Sequence, residues 1–134
     1  MSAFIVDNSV WWKAGRHPGI ASRLRVVSTQ DLILTCPPQV LEYSSSARDA
    51  AEHAEFCRDM EVFFPAEEHP GQSDVLAIQR ALWASGFVRG AGSMDTLIAA
   101  YAIANEAIVL TADRDHDHIA AAVPDFRHEF LPEE

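Results

Sequence analysis

Gly92-Ser-Met-Asp95-Thr-Leu-Ile-Ala-Ala-Tyr-Ala-Ile-Ala104 is followed by the apolar run Ala107-Ile-Val-Leu-Thr-Ala112 and then by the acidic knot Asp113-Arg-Asp115-His-Asp117. A helix-length apolar segment with one carboxylate at its head, then a strand-length apolar run that ends in acids, is the repeating unit of an α/β sheet protein. Asp95 is the residue that needs explaining. A carboxylate among apolar neighbours either takes up a proton or finds a cation, because a bare buried charge is too costly. Its meaning depends on whether other acids converge on it.

Working outward, the same unit recurs towards the N-terminus. Phe4-Ile-Val6 is a short apolar run ending at Asp7, which suits a strand buried on both faces. Asn8 and Ser9 are expected to cap a helix over Val10–Ala14, His17-Pro-Gly19 interrupts the chain, and Ile20, Leu24 and Val27 resume helical spacing. Leu32-Ile-Leu-Thr35 predicts a second strand, and Pro37-Pro38 opens a helix that carries Glu42. From Ala47 to Met60 the pattern predicts a helix with Ala47, Ala50, Ala51 and Ala54 inward and Arg48, Asp49, Glu52, Glu55 and Arg58 outward.

Val62-Phe-Phe64 predicts a third strand, and Glu67-Glu-His-Pro-Gly71 a loop. A helix from Ser73 to Ser85 buries Val75, Ile78 and Leu82 and stops at Gly86. Arg89-Gly-Ala-Gly92 leads into Ser93, expected to cap the helix carrying Asp95. Ala107–Leu110 is a fourth strand, Arg114–Ala122 a short helix and Phe126–Leu131 an edge strand. Strands alternating with helices at this spacing predict an α/β domain, a three-layer sandwich with helices on both faces of a mainly parallel sheet of four to five strands. No linker or repeat divides the chain, so residues 1–134 are expected to form one domain.

Composition narrows the function. The net charge of -10 comes from 20 acids against 10 bases, nine of them Arg, with Lys13 the single lysine. Such a chain repels nucleic acid at long range, so a nucleic-acid substrate would need metal ions and a local Arg cluster. Cys36 and Cys57 lack metal-type spacing and do not suggest a disulfide framework, which points to a reduced, cytoplasmic protein. The N-terminus meets Asp7 too early for a signal peptide, and no run reaches membrane-spanning length.

On this topology Asp7 ends the first strand, Glu42 follows the second, Asp95 opens a late helix and Asp113 follows the fourth strand, and parallel sheets place their chemistry at that rim. Each acid alone has a plainer explanation, since Asp95, Asp113 and Asp115 near helix starts suit the helix dipole and Glu42 suits a solvated face. Four together repel one another unless a divalent cation neutralises them. Oxygen donors select Mg²⁺ or Mn²⁺, and the chemistry that follows is metal-assisted phosphodiester hydrolysis.

Ile5-Val-Asp7-Asn-Ser9, Glu42 after Pro-Pro-Gln-Val-Leu, Ser93-Met-Asp95-Thr-Leu-Ile-Ala-Ala and Leu110-Thr-Ala-Asp113-Arg-Asp115 resemble, as a set, the motifs of the PIN-domain ribonucleases. The resemblance is to the VapC toxins of bacterial VapBC toxin–antitoxin modules, and it covers nearly the whole chain. It implies a PIN fold, Mg²⁺- or Mn²⁺-dependent endonucleolytic cleavage of RNA with 5′-phosphate products, a VapB-like antitoxin partner and a homodimer. Asp7, Glu42, Asp95 and Asp113 fall on the family's acidic quartet, and Asp115 on an additional acid of some members. Ser9 matches the family's small hydroxyl residue after the first acid, and Thr111 is expected to do similar supporting work; Arg114, lying between two acids, is on its own sequence position the favoured candidate for phosphate contact. Asn8 departs from the usual Ser or Thr, and His116 from the usual aromatic, whose packing it can imitate.

Other chemistries fit less well. Asp113-x-Asp115-x-Asp117 lacks the Gly and the bidentate Glu of an EF-hand, with His118 and Pro124 in their places. His116 and His118 next to the acids suggest a softer metal, but alternate helix residues point apart, which favours exposed polar residues. Gly90-Ala-Gly92 is too short for a dinucleotide fingerprint, and no phosphate-binding loop occurs. A phosphoacceptor receiver domain would need a lysine after a late strand. Two rivals remain: a metal-stabilised α/β module that binds RNA or protein without cleaving, and a PIN nuclease of RNA processing outside a toxin–antitoxin pair. Trp11, Trp12 and Trp83 are expected in the core or at a dimer interface, and Arg16, Arg23, Arg25, Arg89 and Arg114 are candidates for phosphate contact.

Overall fold

Strand β1 (Ala3–Val6) lies at the centre of a five-stranded sheet, with β2 (Leu32–Thr35) on one side and β4 (Ile108–Thr111) on the other. The edges are β3 (Phe64–Pro65) and β5 (His128–Phe130), giving the order β3-β2-β1-β4-β5 with every pairing parallel. This is a computed structural model, which describes residues 1–133. The chain runs outward from β1 through β2 to β3, then crosses back to build β4 and β5 on the opposite side. That reversal makes a topological switch point between the carboxyl ends of β1 and β4, where an open parallel sheet leaves a crevice.

Alternation along β1 explains how a four-residue strand holds two helical layers. Phe4 and Val6 face a cluster with Val10, Ile20, Val27, Ile33 and Leu110, while Ile5 faces another with Ile78, Leu82, Ile98, Val109, Ile119 and Phe126. The first cluster lies under α1 (Asn8–Lys13) and α2 (Pro18–Gln30). The second lies under α5 (Gln72–Ala84), α6 (Ser93–Ala104) and α7 (Asp117–Ala122). Each fully buried Ile, Leu or Val contributes roughly 1.5–3 kcal/mol of transfer free energy. The expected α/β class, with helices flanking a parallel sheet, is the architecture observed.

Several local expectations are corrected. Asp7, not Asn8 or Ser9, is the N-cap of α1, and its carboxylate accepts from the Ser9 amide. Gly92, with no side chain to accept from the first-turn amides, replaces Ser93 as the N-cap of α6, and Ser93 is its first residue. Helix α4 (Ala50–Met60) starts three residues later than expected and turns Ala50, Ala51 and Ala54 to solvent. Phe56 and Met60 take the inner face instead, because a larger apolar side chain gains more from burial than an alanine. The third strand is shifted to Phe64–Pro65, leaving Val62 exposed, and an edge position tolerates its proline.

Helix α3 (Pro37–Ser44) begins on its two prolines, which need no amide partner in a first turn. The helix expected over Arg114–Ala122 splits into a 3₁₀ turn (Arg114–His116) and α7. Trp11 packs against Phe63 and Tyr43, but Trp12 and Trp83 are 43% and 44% exposed and so are not core residues. Cys36 and Cys57 are both free, and burial pushes the Cys36 thiol up to about 11. Among the described residues, no helix is long and apolar enough to cross a membrane.

Candidate metal centre

Asp7 leaves the end of β1 at the switch point and is 5% exposed. Because it also caps α1, its carboxylate is fixed from the protein side. Ser9 Oγ donates to Asp7 Oδ2 at 2.5 Å, the Ser9 amide at 3.3 Å, and Thr111 Oγ1 lies 3.4 Å from the same oxygen. All of these reach Oδ2, which leaves Oδ1 for the crevice. Ser9 is itself locked, since its Oγ accepts the Ala112 amide at 3.0 Å. Thr111 Oγ1 in turn accepts the Asp113 amide at 3.1 Å. Ser9 and Thr111 thus tie the ends of β1 and β4 together around one carboxylate.

Asp95 approaches from the first turn of α6, across the crevice from Asp7. Burial pushes its pKa up to about 6, against a lowering influence of His116, and Asp7, Asp115 and Glu42 push it further the same way. Asp95 therefore sits in the field of three acids, and its desolvation sets the direction of the shift. Glu42 comes from α3 and is steered by Asn8, whose Nδ2 donates to Glu42 Oε1 at 2.9 Å and to the Gln39 carbonyl at 3.1 Å. Asn8, which departs from the usual hydroxyl residue, is thus the group that aims Glu42.

His116 is completely buried, unlike the exposed polar residue that helical alternation predicts. The 3₁₀ turn, tighter than an α-helix, brings its ring inward, where it stacks on Phe126 with centroids 5.9 Å apart. His116 Nε2 lies 3.9 Å from Asp95 Oδ1, beyond hydrogen-bond reach, and neither ring nitrogen has a partner. One donor atom each from Asp7, Asp95 and His116 lie within 4.8 Å of one another. A buried carboxylate held by one oxygen, a second with raised pKa and an unpartnered imidazole form a donor set that fits a divalent cation.

Asp113 is placed differently. Its Oδ1 accepts from Lys13 Nζ at 3.2 Å, and the same ammonium reaches the Ala112 carbonyl at 3.1 Å and Glu133 at 2.8 Å. Lys13 thus holds Asp113 in place, and its only mark in the sequence is being the single lysine in an arginine-rich set of bases. Asp115 is exposed and joins the centre through its field on Asp95. Arg114 Cζ sits 3.8 Å from the centroid of the Phe130 ring, with Asp117 at 3.5 Å. Of the other arginines, Arg23 makes a two-pronged bond to Glu129, whereas Arg16, Arg25 and Arg89 are exposed. Arg89 has φ 58°, a left-handed conformation in the segment leading to Asp95.

No family model matches the sequence, and no curated protein matches it. Solved structures do match. VapBC2 from Rickettsia felis bound to a DNA fragment of the promoter is 14% identical, with TM-score 0.71 over 96% of this chain and 98% of that one. DNA-bound VapBC from Salmonella typhimurium is 16% identical, with TM-score 0.66 over 97% of this chain and 98% of that one. VapBC-5, a toxin–antitoxin system member from Mycobacterium tuberculosis, is 18% identical, with TM-score 0.62 over 98% of this chain and 99% of that one. At such identities the likeness is one of fold, and the all-parallel five-stranded sheet with flanking helices is the PIN-domain fold of these neighbours.

Proposed function

We propose that the protein is a divalent-metal-dependent endoribonuclease, the toxin of a VapBC-type toxin–antitoxin pair, acting as a single domain over residues 1–134. The observation that carries this is the meeting of Asp7 and Asp95 at the switch point, desolvated and, among the described residues, paired with no ammonium or guanidinium. A structural role alone would favour neutral residues there, since two carboxylates in one crevice destabilise the metal-free fold. The fold shared with VapBC complexes supports the toxin assignment and an antitoxin partner.

In this proposal Asp7 and Asp95 hold the cation from opposite walls, and Glu42, Asp113 and Asp115 complete the acidic ring. Mg²⁺ or Mn²⁺ bound there supplies a lowered pKa for an attacking water and charge neutralisation at the scissile phosphate. Ser9 and Thr111 keep the Asp7 carboxylate from rotating, and Asn8 keeps Glu42 facing the crevice. Arg114, on the turn that follows β4, and the exposed Arg16 and Arg89 offer the local positive charge that a chain of net charge -10 needs to hold RNA. The antitoxin covers the acidic rim with a basic side chain of its own. Leu76 and Trp83, both exposed and seven residues apart on α5, supply an apolar stripe for a homodimer.

The test is cleavage of total cellular RNA by the purified chain, with ends mapped by sequencing. The expected result is cleavage at discrete sites with 5′-phosphate ends, lost in EDTA and restored by excess Mg²⁺ or Mn²⁺. Cleavage that persists in EDTA, or an intact RNA pool in both metals, would contradict the proposal. The second outcome would favour a binding module that does not cleave.

A further inference from the structure

His116 poses an energetic question that aromatic packing does not answer. A phenylalanine at this position would stack on Phe126 equally well and leave nothing unsatisfied. A fully buried imidazole with neither nitrogen bonded instead leaves its donor and its acceptor desolvated and unpaired. Its Nε2 faces the Asp95 carboxylate at 3.9 Å, too far for a hydrogen bond. Two donors that share one cation at bond lengths near 2.1 Å stand up to about 4.2 Å apart. The separation is therefore wrong for a direct bond and right for two ligands of one ion.

The third donor is in place as well. The ligand atoms of Asp7, Asp95 and His116 fall within 4.8 Å of one another, so a small side-chain adjustment closes them on a common centre. We propose that His116 is a nitrogen ligand of the cation, and that the Asp7–Asp95–His116 centre prefers a borderline first-row ion such as Mn²⁺ or Fe²⁺ over Mg²⁺. Imidazole suits transition ions, whereas Mg²⁺ favours oxygen donors and retained waters. This deepens the metal-dependent function proposed above and rests on it only for the presence of a cation at this rim.

The experiment is calorimetric titration of the chelator-stripped full chain with Mn²⁺ and with Mg²⁺, together with pulsed electron paramagnetic resonance of the Mn²⁺ form. His116→Phe retains the stacking on Phe126 and removes only the donor. The wild type should bind Mn²⁺ at least about tenfold more tightly than Mg²⁺, and His116→Phe should lose about tenfold in Mn²⁺ affinity while Mg²⁺ changes less than about threefold. Nitrogen modulation of the Mn²⁺ signal should be present in the wild type and absent in His116→Phe. Tight ion binding without nitrogen modulation, or an unchanged affinity ratio in the variant, would overturn the His116 assignment and leave an all-oxygen centre. Absence of binding by either ion in the wild type would overturn it together with the metal-dependent function. Circular dichroism of His116→Phe controls for folding, and His116→Leu serves as a second donor-free variant.

Discussion

Two acidic groups lie side by side at the carboxyl rim of the sheet, and the protein treats them in opposite ways. Asp113 and Glu133 share the Lys13 ammonium, so that corner is partly neutralised within the chain. Asp7 and Asp95, one strand end away, are more deeply buried and have no such partner. The difference teaches where an external cation belongs: where charge is buried and uncompensated, not where acids are most numerous in sequence. The knot Asp113-Arg-Asp115-His-Asp117 is the densest cluster of acids in the chain, yet of these residues it is the buried His116 whose donor atom lies closest to both Asp7 and Asp95.

The largest effect that can break this comparison comes from Asp95→Asn. It should lower the rate of RNA cleavage by at least about 10³-fold, because it removes a ligand carboxylate from the uncompensated side. The same variant should leave the circular dichroism spectrum unchanged. Ser9→Ala comes next: it frees the Asp7 carboxylate and the Ala112 amide, and an orienting partner of this kind is worth about 10–100-fold in metal affinity or activity. Titration calorimetry separates the two contributions.

Lys13→Gln removes the cation from the partly neutralised corner. With Asp113 and Glu133 released, divalent-ion affinity should rise by several-fold, about 1 kcal/mol, or a second binding event should appear in the calorimeter. An unchanged isotherm would mean that Lys13 does not set the charge balance of the rim.

The smallest effect is a pH dependence of the metal-free protein. The folded-state pKa of Asp95, pushed up to about 6, lies above its ordinary value of 3.8, so the folded state binds the extra proton. That contribution is fully present below about pH 4 and is lost as pH rises through 6, by roughly 1–3 kcal/mol. Urea unfolding in EDTA at pH 5 and pH 7 should therefore give lower stability at pH 7 from this residue, and Asp95→Asn should reduce the difference.

Much of the fold was legible because buried parallel strands are short apolar runs, and here each of the three inner ones ends near an acid or a hydroxyl residue. Pro37-Pro38 and the Gly-rich approach to Ser93 marked helix starts to within a residue. The errors arose where tertiary competition decides. Alanines at helical spacing on α4 resembled a core face, but Phe56 and Met60 on the adjacent face had more to gain from burial. The convergence of Asp7 and Asp95 followed from strand order and could be anticipated. The pairing of Lys13 with Asp113 spans 100 residues and has no local signature. His116 was hidden for a different reason, since regular helical alternation would have turned it outward and only the 3₁₀ turn brings it in.

If the buried Asp7 and the half-buried Asp95 of the β1–β4 rim hold a divalent cation, thermal unfolding of the chelator-stripped protein with added Mn²⁺ registers it. Stabilisation follows ligand concentration relative to the dissociation constant, reaching about 2.7 kcal/mol at a hundredfold excess over it. The wild type should show a rise in Tm that grows with Mn²⁺ concentration, and Asp95→Asn, already relieved of its buried charge, should show almost none. A wild-type Tm indifferent to Mn²⁺, or an equal rise in the variant, would contradict the account.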